Sequence, residues 1–296
     1  MSAAGAQPSV DLPMGVRVEL MHAFLQSVAD EAGIDLLHVK GPALDVSLLQ
    51  RGAHGEPMPR HSTDADVLVR PADAERLLSR LREHGCHQRT RYRSGSPFEH
   101  AANIWHDELG HADIHRHFPG IGLRPATAFE TLWSRRHEVT LAHWACAVPH
   151  VDDQRLLLLL HAARSEGTKQ LDVDQVWGRA GEVDRERVRS LAEDLDATVA
   201  LAAAIGELDD YRHHPEYALW KQFSGPEAHS RTDEWRARLR AARTPWQAAS
   251  VMVRALQVNT DRMRLDLGRE PTREEIAAKR RERLRRALRE RFGGGR

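Results

Sequence analysis

The sequence predicts an α+β protein: a mixed sheet with flanking helices in the N-terminal half, followed by a helical C-terminal region. Three observations carry this. Between residues 34 and 85 the apolar pattern runs strand, turn, helix, strand, helix. From Cys86 to Val148 the apolar runs are shorter and strand-like. After Pro149, apolar residues recur at helical spacing to about residue 265, so a domain boundary is placed near residue 148.

Taken in order, residues 1–13 are small, polar and proline-bearing and read as a disordered lead. Leu20, Met21, Phe24, Leu25, Val28 and Ala29 then form the apolar stripe of a helix closed by Gly33. Ile34 to Val39 reads as a strand, and residues 42–51 as a helix opened by Pro42. Residues 51–57 form a loop that delivers Arg60 and a strand ending Val67-Leu68-Val69. Pro71 opens a helix with Ala74, Leu77, Leu78 and Leu81 inward and Gly85 as its cap. A break at Ser94-Gly95-Ser96-Pro97 and a helix from Ala126 to Trp133 interrupt the later strands.

Beyond the boundary, Asp152 is expected to cap a helix facing inward through Leu156, Leu157, Leu160 and Ala163. Ala197 to Leu208 and Trp246 to Val258 read as the core of a helical bundle over residues 149–267. The last segment, residues 268–296, opens with a capping box at Thr272-Arg273-Glu274-Glu275. From Arg269 to Arg296 it holds 11 basic and five acidic residues. Such a helix is a solvated surface, or a contact with RNA, an acidic partner or the protein's own acidic face.

Composition bounds the function. At 296 residues, 41% hydrophobic and 29% charged, the chain has the makeup of a globular protein, and its zero formal charge supplies no global pull toward nucleic acid or membrane. Two cysteines, Cys86 and Cys146, are too few for a disulfide framework. Met1 to Pro13 has no apolar stretch of signal length, and the run Leu156 to Leu160 is far too short to span a bilayer, so a cytoplasmic setting is expected.

The chemistry concentrates between His38 and Val69. Asp64 and Asp66, one residue apart on a strand, point to the same side roughly 7 Å from each other, which suits one hard divalent cation such as Mg²⁺. Ser62-Thr63-Asp64-Ala65-Asp66 is also ordinary turn composition. Upstream, Lys40-Gly41-Pro42 leads into the expected helix, whose N-terminus is an anion site to which Lys40 adds a charge. Lysine occurs only four times in the chain, so its use here is informative. Downstream, period two places His111, Asp113, His115 and His117 on one strand face. If that strand lies beside the first, Asp113 becomes a third carboxylate at the same metals.

With these residues in view, the chain resembles the small bacterial nucleotidyltransferases of the DNA polymerase β superfamily, in a poorly characterised branch. The resemblance rests on Lys40-Gly41-Pro42-Ala43-Leu44, on Arg60 through Val69 and on Asp113-Ile114-His115. A further match is the leucine run Leu157 to Leu160 with His161, then Leu171-Asp172-Val173-Asp174, where either acid fits the family's position. It covers roughly residues 15–180. The wider superfamily has Gly-Ser where Lys40-Gly41 stands.

The resemblance implies a polymerase-β-like core and transfer of a nucleoside monophosphate, AMP from ATP, to an acceptor hydroxyl on a small molecule or peptide. Asp64, Asp66 and Asp113 would hold two Mg²⁺, with Mn²⁺ as a substitute. Lys40, Gly41, Arg60, Ser62 and His115 would contact the nucleotide. The rival is a nucleotide-binding or partner-binding protein that keeps the fold without turnover; retention of all three acids argues against it.

Eighteen histidines invite a zinc reading. His106 and His111, five apart around Gly110, lack the four-residue helical spacing of a metalloprotease. His111, His115 and His117 fit surface or orienting roles better than a transition-metal site, and His38 and His161 read as hydrogen-bonded core residues.

Overall fold

Helix α1 (Met14–Ala32) buries Met21, Leu25, Val28 and Ala29 along the expected stripe and ends at Gly33, whose φ of 60° supplies the left-handed turn. It begins a computed structural model that describes residues 12–95, 98–165, 169–224, 231–242 and 244–292. Residues 1–11 of the expected lead, and Ser96 and Pro97 of the expected break, lie outside those described.

Strand β1 (Leu36–Val39) is wholly buried. The helix expected over 42–51 does not follow it. Instead the chain makes two single 3-10 turns, Gly41–Ala43 and Val46–Leu48, separated by extended backbone at Leu44 and Asp45. The reason lies at Asp45: its carboxylate accepts from the Ser47 N–H at 2.8 Å, and its own N–H donates to the distant Gln154 Oε1 at 2.7 Å. These bonds satisfy the backbone in a turn rather than a helix. Gln50–Arg51 (β2) and Pro57–Met58 (β3) then pair as a small ribbon where a loop was expected.

Strand β4 (Asp64–Val69) is buried from Ala65 onward. Helix α2 (Ala74–Glu83) turns Ala74, Leu77, Leu78 and Leu81 inward as the spacing predicts. After β5 (His87–Gln88) and the single turn α3 (Tyr92–Gly95), β6 (Ala101–His106) and β7 (Gly110–His115) form a hairpin. The mixed sheet runs β1-β4-β7-β6-β5, with β4 and β7 parallel and the other pairs antiparallel. One face carries Leu36, Val67, Val69, Ala112 and Ile114 against α1 and α2.

The other face carries Leu37, Val39 and Leu68, and its cover comes from beyond residue 148. After α4 (Pro125–Ser134) and the hairpin β8 (His137–Leu141) and β9 (Trp144–Val148), helix α5 (Val151–Ala162) buries Leu156 to Leu160, none more than 1% exposed. Each buried leucine contributes about 1.5–3 kcal/mol, so one core joins residues on both sides of the expected boundary. The α5 cap is His150, whose Nδ1 accepts from the Asp152 N–H; Asp152 lies one step inside the helix, its carboxylate facing Arg135 and His150.

Helices α6 (Lys169–Val173), α7 (Glu182–Asp194) and α8 (Thr198–Ile205) extend this core, α8 through six buried residues. Then come α9 (Tyr217–Ser224), α10 (Arg231–Arg240), α11 (Pro245–Leu256), α12 (Thr260–Leu267) and α13 (Arg273–Phe292). The expectation that Trp246 to Val258 is bundle core fails: Trp246 is 86% exposed and Met252 61%. Helical spacing creates an apolar stripe, but burial needs a partner surface, and among the described residues α11 packs mainly on α10 and α13, with Arg254 reaching Glu99. The capping box of α13 is formed, Thr272 and Glu275 bonding each other's backbone N–H at 2.8 and 3.2 Å. Among the described residues no helix is long and apolar enough to cross a membrane.

Candidate active site

The parallel pairing of β4 and β7 puts Asp66 opposite Asp113 and Asp64 opposite His111. Directly paired residues share a sheet face, so period two brings Asp64, Asp66, Asp113 and His115 to the same side. Every residue expected at the site, from Lys40 and Gly41 through Arg60, Ser62, Asp64 and Asp66 to Asp113 and His115, lines one cleft of about 220 Å³.

Asp66 is its most constrained member, 5% exposed. Its Oδ2 lies 2.7 Å from Lys40 Nζ, and its Oδ1 accepts a hydrogen bond from His115 Nε2 at 2.7 Å. Burial alone would raise its pKa, but the ammonium charge and the imidazole hydrogen bond outweigh it and hold the carboxyl well below the usual range. Asp64 shows the opposite balance. Burial and the neighbouring Asp66 charge push it up to about 6, with Asp113 adding to the effect and Lys40 opposing it.

Asp113 receives a hydrogen bond from Asn103 Nδ2 at 2.9 Å, across the β6–β7 register that faces these two residues. Ligand atoms of Asp66, Asp113 and His115 lie within 4.8 Å of one another. Carboxylate oxygens suit a hard divalent cation, and Asp64, raised first by burial and then by the Asp66 charge, is part of the same acidic cluster. His115 already bonds Asp66 through Nε2, which fits an imidazole that orients a carboxylate ligand.

The turn after β1 departs from expectation most. Lys40, at φ 66° and ψ −175°, occupies a region that glycine alone visits freely, a strain of about 1–3 kcal/mol. It carries the ammonium back over the sheet to Asp66. Gly41 follows at φ 55°, and a Cβ there would stand 3.2 Å from Ser62 Oγ. Ser62 itself donates to the Asp64 carbonyl at 2.8 Å, so the hydroxyl braces the entry to β4. With no α-helix after Gly41, the anion site expected there has no helix terminus to draw on, only this turn and Lys40. Arg60 pairs with Asp172 at 2.9 Å, while Asp174 accepts from Gln170, so Asp172 is the acid of that segment tied to the site.

The histidines divide as their surroundings dictate. His38 is a core residue as expected, with Nε2 donating to Gln26 Oε1 at 2.9 Å. That leaves its Nδ1 to accept from His22 Nδ1 at 2.8 Å. His111 turns to Asn103 and the Trp105 ring, and His117 donates to the Phe98 carbonyl. His161, expected in the core, lines the cleft, as do His100 and Arg164, which belong to none of the sequence motifs. The available signal was a basic residue ending the apolar run Leu156 to Ala163, three positions after His161.

A family model described as "Uncharacterised nucleotidyltransferase" matches residues 22–209. No curated protein matches the chain. Among solved structures, the lincomycin-bound lincosamide antibiotic adenylyltransferase LnuA is 16% identical, with a TM-score of 0.33 over 61% of this chain and 96% of that one. The antibiotic-resistance factor ANT(2'')-Ia is 15% identical at a TM-score of 0.39, over 68% and 98% of the two chains. An antigenic nucleotidyltransferase-like protein from Paracoccidioides brasiliensis is 13% identical at 0.36, over 63% and 93%. These structural likenesses are weak, whereas the family match spans more than half of the chain and takes in β1, β4, β7 and α5. The chain therefore belongs to the uncharacterised nucleotidyltransferase family.

Proposed function

We propose that the protein transfers a nucleoside monophosphate, AMP from ATP, to an acceptor hydroxyl on a small molecule or peptide. The observation that carries this reading is Asp66 facing Asp113 across paired parallel strands, with Asp64 beside them and Lys40 in the same cleft. Asp64, Asp66 and Asp113 are the residues to hold two Mg²⁺, or Mn²⁺. Such a pair, when bound, neutralises charge on the triphosphate and on the attacking oxygen.

The chain's own groups position and hold. His115 and Asn103 fix the carboxylates of Asp66 and Asp113 in orientation. Lys40, released from Asp66 when that charge is otherwise balanced, moves to the phosphates, which the Gly41 backbone, Ser62 and Arg60 line. Asp113 would take the proton of the acceptor hydroxyl as that oxygen bonds the α-phosphorus and the α–β phosphoanhydride bond breaks to release pyrophosphate. A cytoplasmic setting suits the two free, buried cysteines. The basic helix α13 supports, through its charge alone, contact with RNA or an acidic partner.

The test is incubation with Mg²⁺ and each NTP labelled on its α-phosphate, against hydroxyl-bearing small molecules, peptides and RNA. Label should move to an acceptor with release of pyrophosphate, and not in Asp113→Asn. Nucleotide binding with no transfer to any acceptor favours the non-catalytic rival.

A further inference from the structure

Arg164 lies just past the end of α5 and lines the cleft with a charge that no motif assigned. Lys40 and Arg60 each hold a carboxylate, at 2.7 and 2.9 Å. Arg164 instead sits near two rings, its guanidinium carbon 5.9 Å from the Phe98 centroid and 5.8 Å from that of Phe118. Its Nε is buried and has no hydrogen-bond partner among the described residues. Burial lowers its pKa to about 10, and the charges that oppose this are those of Asp66 and Asp113.

Topology says which half of the cleft it serves. Lys40 and Gly41 follow β1, on one side of β4; Asp113 is on β7, on the other side. Phe98 precedes β6 and Phe118 follows β7, so Arg164 stands over the β6–β7 side. His100 and His117, at the β6 and β7 ends, both feel its charge. On the nucleotidyl-transfer reading, a group transferred in line would pass from the Lys40 side to the Asp113 side, where the acceptor would enter.

We infer that Arg164 binds an anionic group, a carboxylate or a phosphate, on the acceptor, which places the acceptors of this protein among anionic hydroxyl compounds. This rests on the nucleotidyl-transfer reading. A part-buried guanidinium whose buried Nε has no partner among the described residues, and which stands near two ring faces and two acids, lacks a directed partner, and carboxylates and phosphates match its donors two at a time. Cations bound at Asp66 and Asp113 would cancel that field, leaving the arginine charge exposed to an incoming anion.

The test is thermal melting of the full chain with Mg²⁺ and a saturating non-hydrolysable ATP analogue, adding inorganic phosphate in one arm and acetate in another. Chloride at matched ionic strength is the control. The parent should gain a further upward shift with one of the two anions. Arg164→Gln should keep the analogue's shift and need at least tenfold more anion, and Arg164→Lys should fall between. The assignment is overturned if the parent shows no anion shift beyond chloride, or if Arg164→Gln shows the parent's shift. Loss of the analogue's shift in both variants overturns it too, by placing Arg164 on the triphosphate. An anion shift in a parent that ignores the analogue sinks nucleotidyl transfer while leaving the anion site standing.

Discussion

Lys40 Nζ and Asp66 Oδ2 lie 2.7 Å apart, with side chains only 12% and 6% exposed, so the cation of the turn after β1 sits on the carboxylate at the centre of the cleft. Removing one partner of such a buried pair leaves a charge without compensation, and that cost exceeds the net worth of the pair itself. On the proposed function this contact would be one of two arrangements of the cleft, the other having a metal on Asp66 and Lys40 on phosphate.

Lys40→Met should therefore destabilise the metal-free protein, by roughly 3–5 kcal/mol if Asp66 stays ionised. Denaturant unfolding in the presence of a chelator measures it. An unchanged unfolding free energy would show that the ion pair contributes nothing to the fold.

The two acids of β4 should respond in opposite directions. Asp64 carries a carboxyl pushed up to about 6 by burial and by Asp66, so Asp64→Asn should stabilise the metal-free protein by on the order of 2 kcal/mol at pH 7.5. Asp66→Asn strips Lys40 and His115 of their partner and should destabilise it. Both should abolish transfer. Shifts of the same sign in the two variants would refute the charge assignment.

Acid sensitivity should trace to the buried histidine pair. Burial lowers His22 from 6.5 to about 4, against a smaller opposing pull from Asp66, and lowers His38 well below its ordinary value. The unfolded chain binds protons at these rings from about pH 6.5 downward while the folded one does not. Their contribution is thus intact above that pH and lost as pH falls toward 4, by about 3 kcal/mol for His22 alone. Unfolding free energies from pH 7.5 to 4 should fall steeply in the parent and less steeply in a His22→Phe, His38→Leu double variant.

Gly41→Ala should weaken nucleotide binding at least tenfold. At φ 55° the added Cβ is strained by about 1 kcal/mol or more, and it presses on Ser62 Oγ at 3.2 Å, displacing the brace at the start of β4. Calorimetric titration with Mg²⁺ and ATP measures it; parental affinity in this variant would mean the turn lies outside the nucleotide site.

Much of this site was legible because strands have a simple period. Asp64, Asp66, Asp113 and His115 share a face by alternation alone, and only the adjacency of β4 and β7 had to be supplied by the fold. The capping box at Thr272 and Glu275 and the core role of His38 were local and equally readable. The Lys40 turn was not. A lysine at φ 66° contradicts local preference, and what holds it there is a carboxylate 26 positions away on another strand. Arg164 was hidden because an arginine after a leucine run looks like a helix end meeting solvent, and its approach to Asp66 and Asp113 exists only once α5 covers the sheet. The α11 stripe misled for the converse reason, since periodicity reports a face and says nothing of whether a partner covers it.

On the proposed function, Asp64, Asp66 and Asp113 act together to hold divalent cations against a triphosphate. Calorimetric titration of the metal-free protein with a non-hydrolysable ATP analogue, with and without Mg²⁺, tests it most directly, in the parent and in Asp113→Asn. Binding in the parent should tighten at least a hundredfold with Mg²⁺, and the Asp113→Asn protein should fold normally and lose most of that gain. Nucleotide binding indifferent to Mg²⁺ in the parent, or an Asp113→Asn variant with the parent's full Mg²⁺ dependence, would contradict it.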